Sequence, residues 1–321
     1  MNSLKATLIN YHGDYKDDIQ VHSDSVYNKP MGINTNNSAK NSEKAILITG
    51  CSSGIGYCTA KGLKQRGYRV IATARREESV QQLTAEGFEC LQLDLASSDS
   101  VHEAFKQVMI LTDGKLYALF NNGAFGLPGA VEDLTRENLK YQFETNVFGW
   151  LQITNLVIAV MRRQGYGRII QNSSVLGFVA MPFRGAYNAS KFAIEGLSDT
   201  LRLELKNTDI HVCLIEPGPI ISRFRTNAMR ELQHNIDIEN SVHRDKYLGV
   251  IERLNKEGPA APFTLPPEAV LTRVVHALES RRPKPRYYVT FPTYLFAYLK
   301  RLLSHRQMDY LLAKAGNDGK Q

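Results

Sequence analysis

Two side chains in the stretch AYNASKFAIE, Tyr187 and Lys191, stand four residues apart at the start of a predicted helix. At this spacing they lie one turn apart on the same helical face. A tyrosine, with a pKa near ~10, exchanges protons poorly at neutral pH unless its anion is stabilised, and a nearby ammonium group can lower that pKa. The spacing therefore allows acid–base chemistry, although most such pairs are exposed contacts worth about 0.2–0.5 kcal/mol.

Two polar residues earlier in the chain complete a candidate catalytic set. Ser174, in QNSSVLG, ends a predicted strand, and Asn146, in TNVFG, lies on the helical stretch before that strand. A carbonyl group that accepts a hydride becomes an alkoxide, so a site for this reaction must supply a proton and stabilise negative charge. The phenol of Tyr187 and the ammonium group of Lys191 can meet those requirements. That Asn146 and Ser174 complete a set of four catalytic candidates is what a family resemblance, described below, implies.

The predicted helix that carries Tyr187 and Lys191 has two faces suited to packing. One is a stripe of small residues and the other a stripe of large apolar residues: Ala189, Ala193 and Gly196, then Ile194, Leu197, Leu201 and Leu205. We expect both faces to be packed, which would leave little of Tyr187 and Lys191 open to solvent.

A glycine-rich loop, TGCSSGIG, follows the first predicted strand and precedes a helix. Gly50 permits a tight turn, Gly54 lets backbone approach a phosphate, and Gly56 lets the helix sit close to the sheet. The free N–H groups and positive dipole end of that helix attract an anion. This position favours a dinucleotide site over a plain turn, with further candidate contacts at Ser52, Ser53 and Ile55.

Short β-branched runs alternate with amphipathic helical stretches from residue 44 onward. The runs occupy residues 45–49, 68–73, 89–93, 117–121, 168–173, 210–215 and 286–290. Strands that alternate with helices imply a parallel sheet covered on both faces, and right-handed crossovers make it doubly wound. We therefore predict one α/β domain over residues 44–290, with a Rossmann-like sheet of about seven strands.

The loop pattern TGxxxGxG and the four catalytic candidates, in this order, resemble the short-chain dehydrogenase/reductase family over about residues 45–290. The resemblance implies an enzyme that interconverts a carbonyl and an alcohol with a nicotinamide cofactor, Tyr187 being the proton donor. It also implies that Lys191 holds the nicotinamide ribose, that Ser174 hydrogen-bonds the substrate oxygen, and that Asn146 anchors a water relay. The motif wording is most similar to the retinol, hydroxysteroid and aldehyde reductase branch, which favours a lipophilic aldehyde or ketone.

The second predicted strand ends in ATARR, where NAD-binding members of the family usually carry an acid that bonds the adenosine ribose. Here Ala74 stands near that place, followed by Arg75 and Arg76. A guanidinium can hold a 2′-phosphate through two parallel hydrogen bonds, whereas a carboxylate would repel it. We therefore predict NADP over NAD, with Arg75 as first candidate and Arg76 as helper. The alternative is a pair of arginines on a solvated loop.

The resemblance supplies further cofactor contacts. Asp94, followed by Leu95, matches the acid that contacts the adenine edge. In the segment NNGAFG, Asn122, Gly123 and Ala124 stand where the family has NAG, so the two small residues are in the reverse order. Ala124 would be strained if its position required a positive φ. The turn EPGPIIS adds the last of these candidates: Pro217, Gly218, Ile220 and Ser222.

A mixed segment of about residues 219–265, called here the lid segment, is expected to cover the substrate and to vary with specificity, as the resemblance implies. Apolar side chains near it are candidates for a pocket wall, although such residues are more often simple core: Phe178, Met181, Phe183, Phe224 and Met229. The alternative activities are that of a 3-oxoacyl-carrier-protein reductase, which the long C-terminal extension fits less well, and that of a cofactor-binding regulator without catalysis.

Residues 1–43 are polar and read as a flexible extension, part of which resembles an epitope tag; a native, partly ordered arm is an equal alternative. The region from Arg281 to the C-terminus holds nine Lys or Arg residues and two acids, and it accounts for the whole formal charge of +7. Its aromatic and basic part, residues 291–321, suits a helix packed over the pocket or a subunit boundary, or else peripheral contact with an anionic membrane. No nucleic-acid module is recognised.

The composition, with 43% hydrophobic and 22% charged residues, is typical of a folded globular protein. Four cysteines without a CxxC pair, and no histidines placed to complete a zinc site, favour free thiols, a reducing cytoplasm and no metal. We see no secretory signal and no run long enough to span a bilayer. The family resemblance further implies a small-molecule substrate and a homodimer or homotetramer.

Overall fold

Seven parallel strands form one sheet in the computed structural model, which describes residues 43–259 and 261–316. The strands are β1 (Ala45–Ile48), β2 (Arg69–Ala74), β3 (Glu89–Gln92), β4 (Ala118–Asn121), β5 (Tyr166–Asn172), β6 (Asp209–Glu216) and β7 (Arg286–Tyr288). Their order across the sheet is β3-β2-β1-β4-β5-β6-β7. The predicted Rossmann-like α/β fold is confirmed, and each predicted run forms a strand whose ends lie within two residues of the expected bounds.

Eleven α-helices occur in the described part of the chain. They are α1 (Gly54–Gln65), α2 (Glu77–Ala85), α3 (Ser98–Leu111), α4 (Arg136–Phe143), α5 (Trp150–Gln164), α6 (Gly185–Glu204), α7 (Phe224–Asn235), α8 (Arg244–Asn255), α9 (Glu268–Glu279), α10 (Phe291–Leu302) and α11 (His305–Gly316). A single π-helical segment, Glu144–Gly149, joins α4 to α5. The lid segment holds α7 and α8, and the C-terminal segment holds α10 and α11.

Apolar layers cover both faces of the sheet. Alternate residues of β1 point to opposite faces, so Ile48 joins a core with Leu63 of α1 and Val274 of α9, while Leu47 joins a second core with Val157 of α5. A parallel strand buried on both faces has to be apolar throughout, which explains the unbroken run AILI.

The sheet reverses its order of growth between β1 and β4. From β1 the chain adds β2 and β3 on one side, then returns to place β4, β5, β6 and β7 on the other. At such a switch point the loops after the strands diverge and leave a crevice at the carboxyl edge, where ligands of open α/β sheets bind. The fold alone therefore places a site at the loops after β1 and β4.

One prediction about α6 is wrong. Ile194 and Leu205 are buried as expected, but Leu197 is 40% exposed, and a Cβ added at Gly196 would meet nothing within 4 Å. The sheet covers only one side of this helix, so within a single chain the small-residue stripe faces outward. The burial of Lys191 therefore depends on the loops around the site rather than on a second packed face.

Two predicted segments lie wholly or partly outside the described residues. They are the N-terminal extension, of which only Glu43 is described, and the end of the C-terminal segment after Gly316. The domain bounds at residues 44 and 290 remain predictions. The four cysteines are free, with Cys51 and Cys213 buried and the other two half-buried.

Candidate active site

A cavity of about 2120 Å³ opens along the carboxyl edge of the sheet. Its wall includes the catalytic candidates Ser174, Tyr187 and Lys191. It also includes most predicted cofactor contacts, namely Gly50, Ser52, Ser53, Gly54, Ile55, Arg75, Arg76, Asp94, Leu95, Asn122, Gly123, Ala124, Pro217, Gly218, Ile220 and Ser222. Gly56 and Asn146 lie just behind the wall. The structure thus brings the predicted residues to one place, whereas their individual roles remain proposals.

The glycine loop and the loop after β4 approach each other closely. Gly50 has a φ of +71°, and a Cβ there would lie 2.5 Å from the Cα of Gly123. The backbone N–H groups of Asn122 and Gly123 each donate to Thr49 Oγ1 at 2.9 Å. These contacts fix the floor of the crevice at the switch point between β1 and β4.

The start of α1 fits a phosphate group. Ser53 occupies the N-cap position but makes no side-chain capping hydrogen bond, so the first-turn N–H groups remain available to an anion. A Cβ at Gly56 would lie 2.2 Å from the carbonyl oxygen of Gly50. Only glycine therefore lets the helix start this close to the loop, and the residues present fit the pyrophosphate of a dinucleotide.

Replacing Gly56 by Ala should weaken dinucleotide binding at least ~10-fold and lower the free energy of unfolding by about 1–3 kcal/mol. The new Cβ overlaps a backbone oxygen, so the loop or the helix has to move. Fluorescence titration with NADP and urea unfolding measure the two effects.

The matched control is Gly249→Ala on α8, where an added Cβ meets nothing within 4 Å. This variant should bind NADP as the parent does. Unchanged binding in Gly56→Ala would show that the loop tolerates displacement and that it does not set the cofactor position.

The exchanged pair after β4 is accommodated without strain. Among the described residues, the non-glycine positions with positive φ are Asp113, Phe183 and Phe263, so Ala124 needs no left-handed backbone. The strain considered for Ala124 is thus absent. Gly123 is required for another reason, because a Cβ there would come within 3.1 Å of Leu95 and 3.3 Å of the Gly50 nitrogen.

The loops after β2 and β3 add charged groups to the cavity. Arg75 and Arg76 are exposed directly after β2 and line the cavity. Burial raises the pKa of Tyr141 on α4, and the nearby Arg75 guanidinium acts against this shift. Asp94 accepts the N–H of Ala96 at 3.0 Å, which holds its carboxylate at the end of β3.

Asn146 lies on the π-helical segment and is fully buried. Its Nδ2 donates to the carbonyl oxygen of Phe125 at 2.9 Å and to Ser190 Oγ at 3.1 Å, and its Oδ1 accepts the Phe125 N–H at 3.2 Å. The wider turn of a π-helix redirects one side chain, and such turns are frequent at functional sites. Asn146 therefore ties the loop after β4 to helix α6.

Ser174 and Tyr187 meet at the cavity wall. The Tyr187 hydroxyl lies beside Ser174, whose Oγ accepts the Leu176 N–H at 3.1 Å. The Tyr187 ring packs edge-on against Phe224 of the lid segment, with centroids 5.3 Å apart. Burial raises the pKa of Tyr187 to about 12, and the polar interaction with Ser174 acts in the opposite direction.

Lys191 lies behind Tyr187 and is 1% exposed. Its Nζ donates to the carbonyl oxygen of Asn172 at 2.8 Å and stands 5.6 Å from the Tyr187 ring centroid. Burial lowers the pKa of Lys191 to about 7, while the Glu195 carboxylate acts against this shift. In the protein alone, burial therefore outweighs any lowering of the Tyr187 pKa by Lys191.

Trp150 is a site residue that the sequence analysis missed. Its Nε1 donates to the carbonyl oxygen of Gly123 at 2.7 Å, and Lys191 Nζ stands 4.2 Å from its ring centroid. A cation over an indole face is stabilised by the ring quadrupole. One signal was available, since this single tryptophan of the chain lies one helical turn after Asn146.

The two ends of the lid segment are hydrogen-bonded to each other. The Ile221 N–H donates to the Leu265 carbonyl oxygen at 3.0 Å, and the Leu265 N–H donates to the Pro219 oxygen at 3.1 Å. Ser222 lies directly over the glycine loop, since a Cβ added at Gly54 would lie 3.0 Å from the Cβ of Ser222. The lid segment therefore begins against the expected position of the cofactor.

Two of the five residues predicted for the apolar wall do not line the cavity. Met181, Phe183 and Phe224 line it, but Phe178 and Met229 do not. Phe178 packs against Tyr288, with ring centroids 6.0 Å apart, and Met229 is buried in the core of the lid segment. For these two residues, the alternative of simple core is the correct one.

A buried charge cluster lies behind Lys191. Arg286 of β7 contacts Glu195 at 3.0 Å, Asp199 at 2.7 Å and Glu216 at 2.9 Å, and Glu216 is fully buried. Burial raises the pKa of both glutamates, and the Arg286 guanidinium that they share with Asp199 acts against this shift. This cluster joins helix α6 to the edge of the sheet and places Glu195 one turn from Lys191.

A family model described as short chain dehydrogenase matches residues 44–233. The chain belongs to the short-chain dehydrogenase/reductase family. An uncharacterized oxidoreductase of Escherichia coli, YbbO, is 43% identical over 270 residues, covering 84% of this chain and 94% of its own. Human retinol dehydrogenase 8 is 32% identical over 258 residues, covering 76% and 80%.

The fold of this short-chain dehydrogenase/reductase also matches a solved structure. The closed form of a serine dehydrogenase complexed with NADP⁺ superposes with a TM-score of 0.66 at 24% identity, covering 78% of this chain and 95% of the other. At that identity the likeness supports the fold alone. Family membership identifies the protein as a nicotinamide-dependent oxidoreductase that acts on CH–OH groups.

Proposed function

We propose that this enzyme is NADP-dependent and interconverts a lipophilic aldehyde or ketone with its alcohol. The observation that carries the proposal is the position of the Ser174 and Tyr187 hydroxyl groups side by side at the wall of a cavity shared with the glycine loop. Two hydroxyl groups side by side can hold a carbonyl oxygen and supply its proton. The candidate cofactor contacts line the same cavity.

A bound nicotinamide supplies or accepts the hydride and, when oxidised, adds positive charge beside Tyr187. In carbonyl reduction, Ser174 and Tyr187 donate hydrogen bonds to the substrate oxygen, and Tyr187 gives up its hydroxyl proton as negative charge develops. Lys191, with a pKa of about 7, exchanges protons readily at neutral pH and can replace the lost proton. Asn146 holds the backbone beside this route, and Trp150 holds Lys191 in place.

The preference for NADP rests on Arg75 and Arg76, which are exposed at the adenosine end of the cavity. Replacing Arg75 by Ser should raise the KM for NADPH at least ~10-fold and leave that for NADH nearly unchanged, because a charged hydrogen bond contributes about 1.5–3 kcal/mol. Steady-state rates with both cofactors measure this difference. Arg163→Ser, an exposed arginine on α5, is the control. A parent enzyme that uses NADH equally well would refute the assignment.

The substrate class rests on the apolar side chains Met181, Phe183 and Phe224 and on the similarity to retinol dehydrogenase 8. NADPH oxidation should be measured with retinal, medium-chain aldehydes, steroids and acyl thioesters. We expect turnover with the lipophilic carbonyl compounds. Turnover with acyl thioesters alone would favour a 3-oxoacyl-carrier-protein reductase, and binding of NADPH without any turnover would favour a regulator.

We also propose that the enzyme forms a homodimer or homotetramer. On the outer side of α5 and α6, Leu151 is 40% exposed, Phe192 42% and Leu197 40%, next to the open Gly196. Burying these side chains against a second copy would recover the apolar contact area that a single chain leaves in water. The four free cysteines are consistent with the proposed cytoplasmic location.

A further inference from the structure

We propose that an exposed apolar stripe on α10 docks this enzyme on an anionic lipid bilayer, with the mouth of the catalytic cavity facing the lipid. The proposal deepens the proposed function and rests on it, because a lipophilic substrate is concentrated in the bilayer. Membrane binding is nevertheless measurable without turnover, so the two proposals can fail separately.

The stripe runs along one side of α10. Its members recur at helical spacing and are well exposed: Phe291 56%, Tyr294 41%, Leu295 39%, Tyr298 63% and Leu302 63%. The opposite side of the helix is the packed one, since Thr293, Phe296 and Ala297 are buried. We predicted that this segment packs over the pocket and gave contact with a membrane as the alternative. Both can hold, because they concern different faces of one helix.

The stripe is continuous with the rim of the cavity. Phe291 and Leu295 are exposed and also line the cavity, as does Phe263 of the lid segment. The rings of Phe263 and Phe291 lie 4.9 Å apart, so they join the lid segment to α10 across the opening. Phe263 has a φ of +58°, a conformation that a bulky residue rarely adopts, and it is nevertheless 58% exposed. An apolar molecule leaving the lipid here would enter the cavity without crossing water.

Charge favours an anionic surface as the occupant. Residues 281–316 include eight lysines and arginines, of which Arg286 is paired in the buried charge cluster, and one acid, and α10 contains no acid. Arg273 of α9 donates to the Tyr294 hydroxyl at 3.2 Å, while Arg301 and Arg306 are exposed beside the end of the stripe. A second copy of the chain would bring like charges together, whereas acidic lipid headgroups complement them. Tyrosines beside leucines suit the headgroup level of a bilayer.

The contact would be peripheral. No helix among residues 43–259 and 261–316 is long and apolar enough to cross a membrane. Helix α10 has twelve residues, with one side packed on the protein and the other apolar and exposed. Such a helix lies in the plane of the membrane–water interface.

The test is co-sedimentation of the full chain with vesicles of phosphatidylcholine containing phosphatidylglycerol, and with vesicles of phosphatidylcholine alone. We expect binding to the anionic vesicles that weakens as salt rises. The double change Tyr298→Ser and Leu302→Ser should lower the partition coefficient at least ~10-fold, because two large apolar groups no longer enter the interface. Changing Arg301 and Arg306 to Gln should lower it roughly tenfold on the anionic vesicles only.

The matched control is the double change Ile110→Ser and Leu203→Ser, two side chains 68% and 65% exposed on other helices. It should bind vesicles like the parent. Reduction of a short, water-soluble aldehyde should persist in the stripe variant, because Tyr298 and Leu302 lie outside the cavity wall. That activity also shows that the variant folds.

Absence of parent binding to anionic vesicles, or equal binding by the stripe variant, would overturn the docking proposal. A parent dimer that sediments as a monomer once Tyr298 and Leu302 are changed would assign the stripe to a second copy instead. Vesicle binding combined with no turnover of any lipophilic carbonyl would leave the docking intact and refute the proposed substrate class.

Discussion

Replacing Tyr187 by Phe is expected to lower kcat for carbonyl reduction by about 10²–10⁴-fold while the fold persists. The substitution removes only the hydroxyl that lies beside Ser174, and the ring keeps its edge contact with Phe224. Steady-state NADPH oxidation gives the rate, and circular dichroism with urea unfolding gives the stability. We expect a stability loss of no more than about 1 kcal/mol for the lost polar interaction.

The matched control is Tyr117→Phe, in which another half-buried tyrosine loses a hydroxyl that bonds the Leu278 carbonyl oxygen. Its stability should fall by about the same amount and its kcat should be unchanged. Activity of Tyr187→Phe within a few-fold of the parent would show that another group donates the proton.

The raised pKa of Tyr187 also sets a dependence on pH. Below about 12 the phenol keeps its proton, so the form needed for carbonyl reduction dominates at neutral pH. Alcohol oxidation needs the phenolate as base, whose population grows as pH rises toward that value. The oxidation rate of the parent should therefore climb through the alkaline range, and this climb should vanish in Tyr187→Phe.

Replacing Arg286 by Met is expected to lower the free energy of unfolding by about 3–5 kcal/mol. The change leaves Glu195 and the fully buried Glu216 without their shared cation. Urea unfolding at several pH values measures the loss. Arg282→Met, an exposed arginine four positions earlier, should stay within about 0.5 kcal/mol of the parent.

The loss should grow with pH. Burial already raises the pKa of both glutamates, and removing Arg286 raises it further. The folded pKa of such a carboxyl group lies above its unfolded pKa, which is near ~4.3. The group stabilises the fold fully at pH values below its unfolded pKa, and this stabilisation is lost as pH rises through the folded pKa. The gap between Arg286→Met and the parent should thus be smallest near pH 5. A gap that does not change with pH would mean that the two carboxyl groups are not the cause.

The sheet was predictable because its signal is local. Each strand is a short apolar run between helical stretches, and the loops that follow the strands must meet at one edge, which is how Gly50 and Tyr187 reach one cavity. The arrangement of Arg286, Glu195 and Glu216 was not predictable, because only the order β5-β6-β7 brings these separated residues together. Spacing likewise placed Lys191 near Tyr187 and led us to expect that both are shielded from solvent, but it did not show that burial would dominate the pKa of both.

The two hydrogen bonds that close the ends of the lid segment have a consequence for engineering. Between Pro219 and Leu265 the chain leaves and re-enters the fold at almost the same point. The intervening residues also contact the rest of the fold, since Phe224 packs on Tyr187 and the Tyr247 hydroxyl donates to Asp133 Oδ2 at 2.6 Å. Exchange of the lid segment between relatives therefore has to preserve these contacts as well as the two hydrogen bonds.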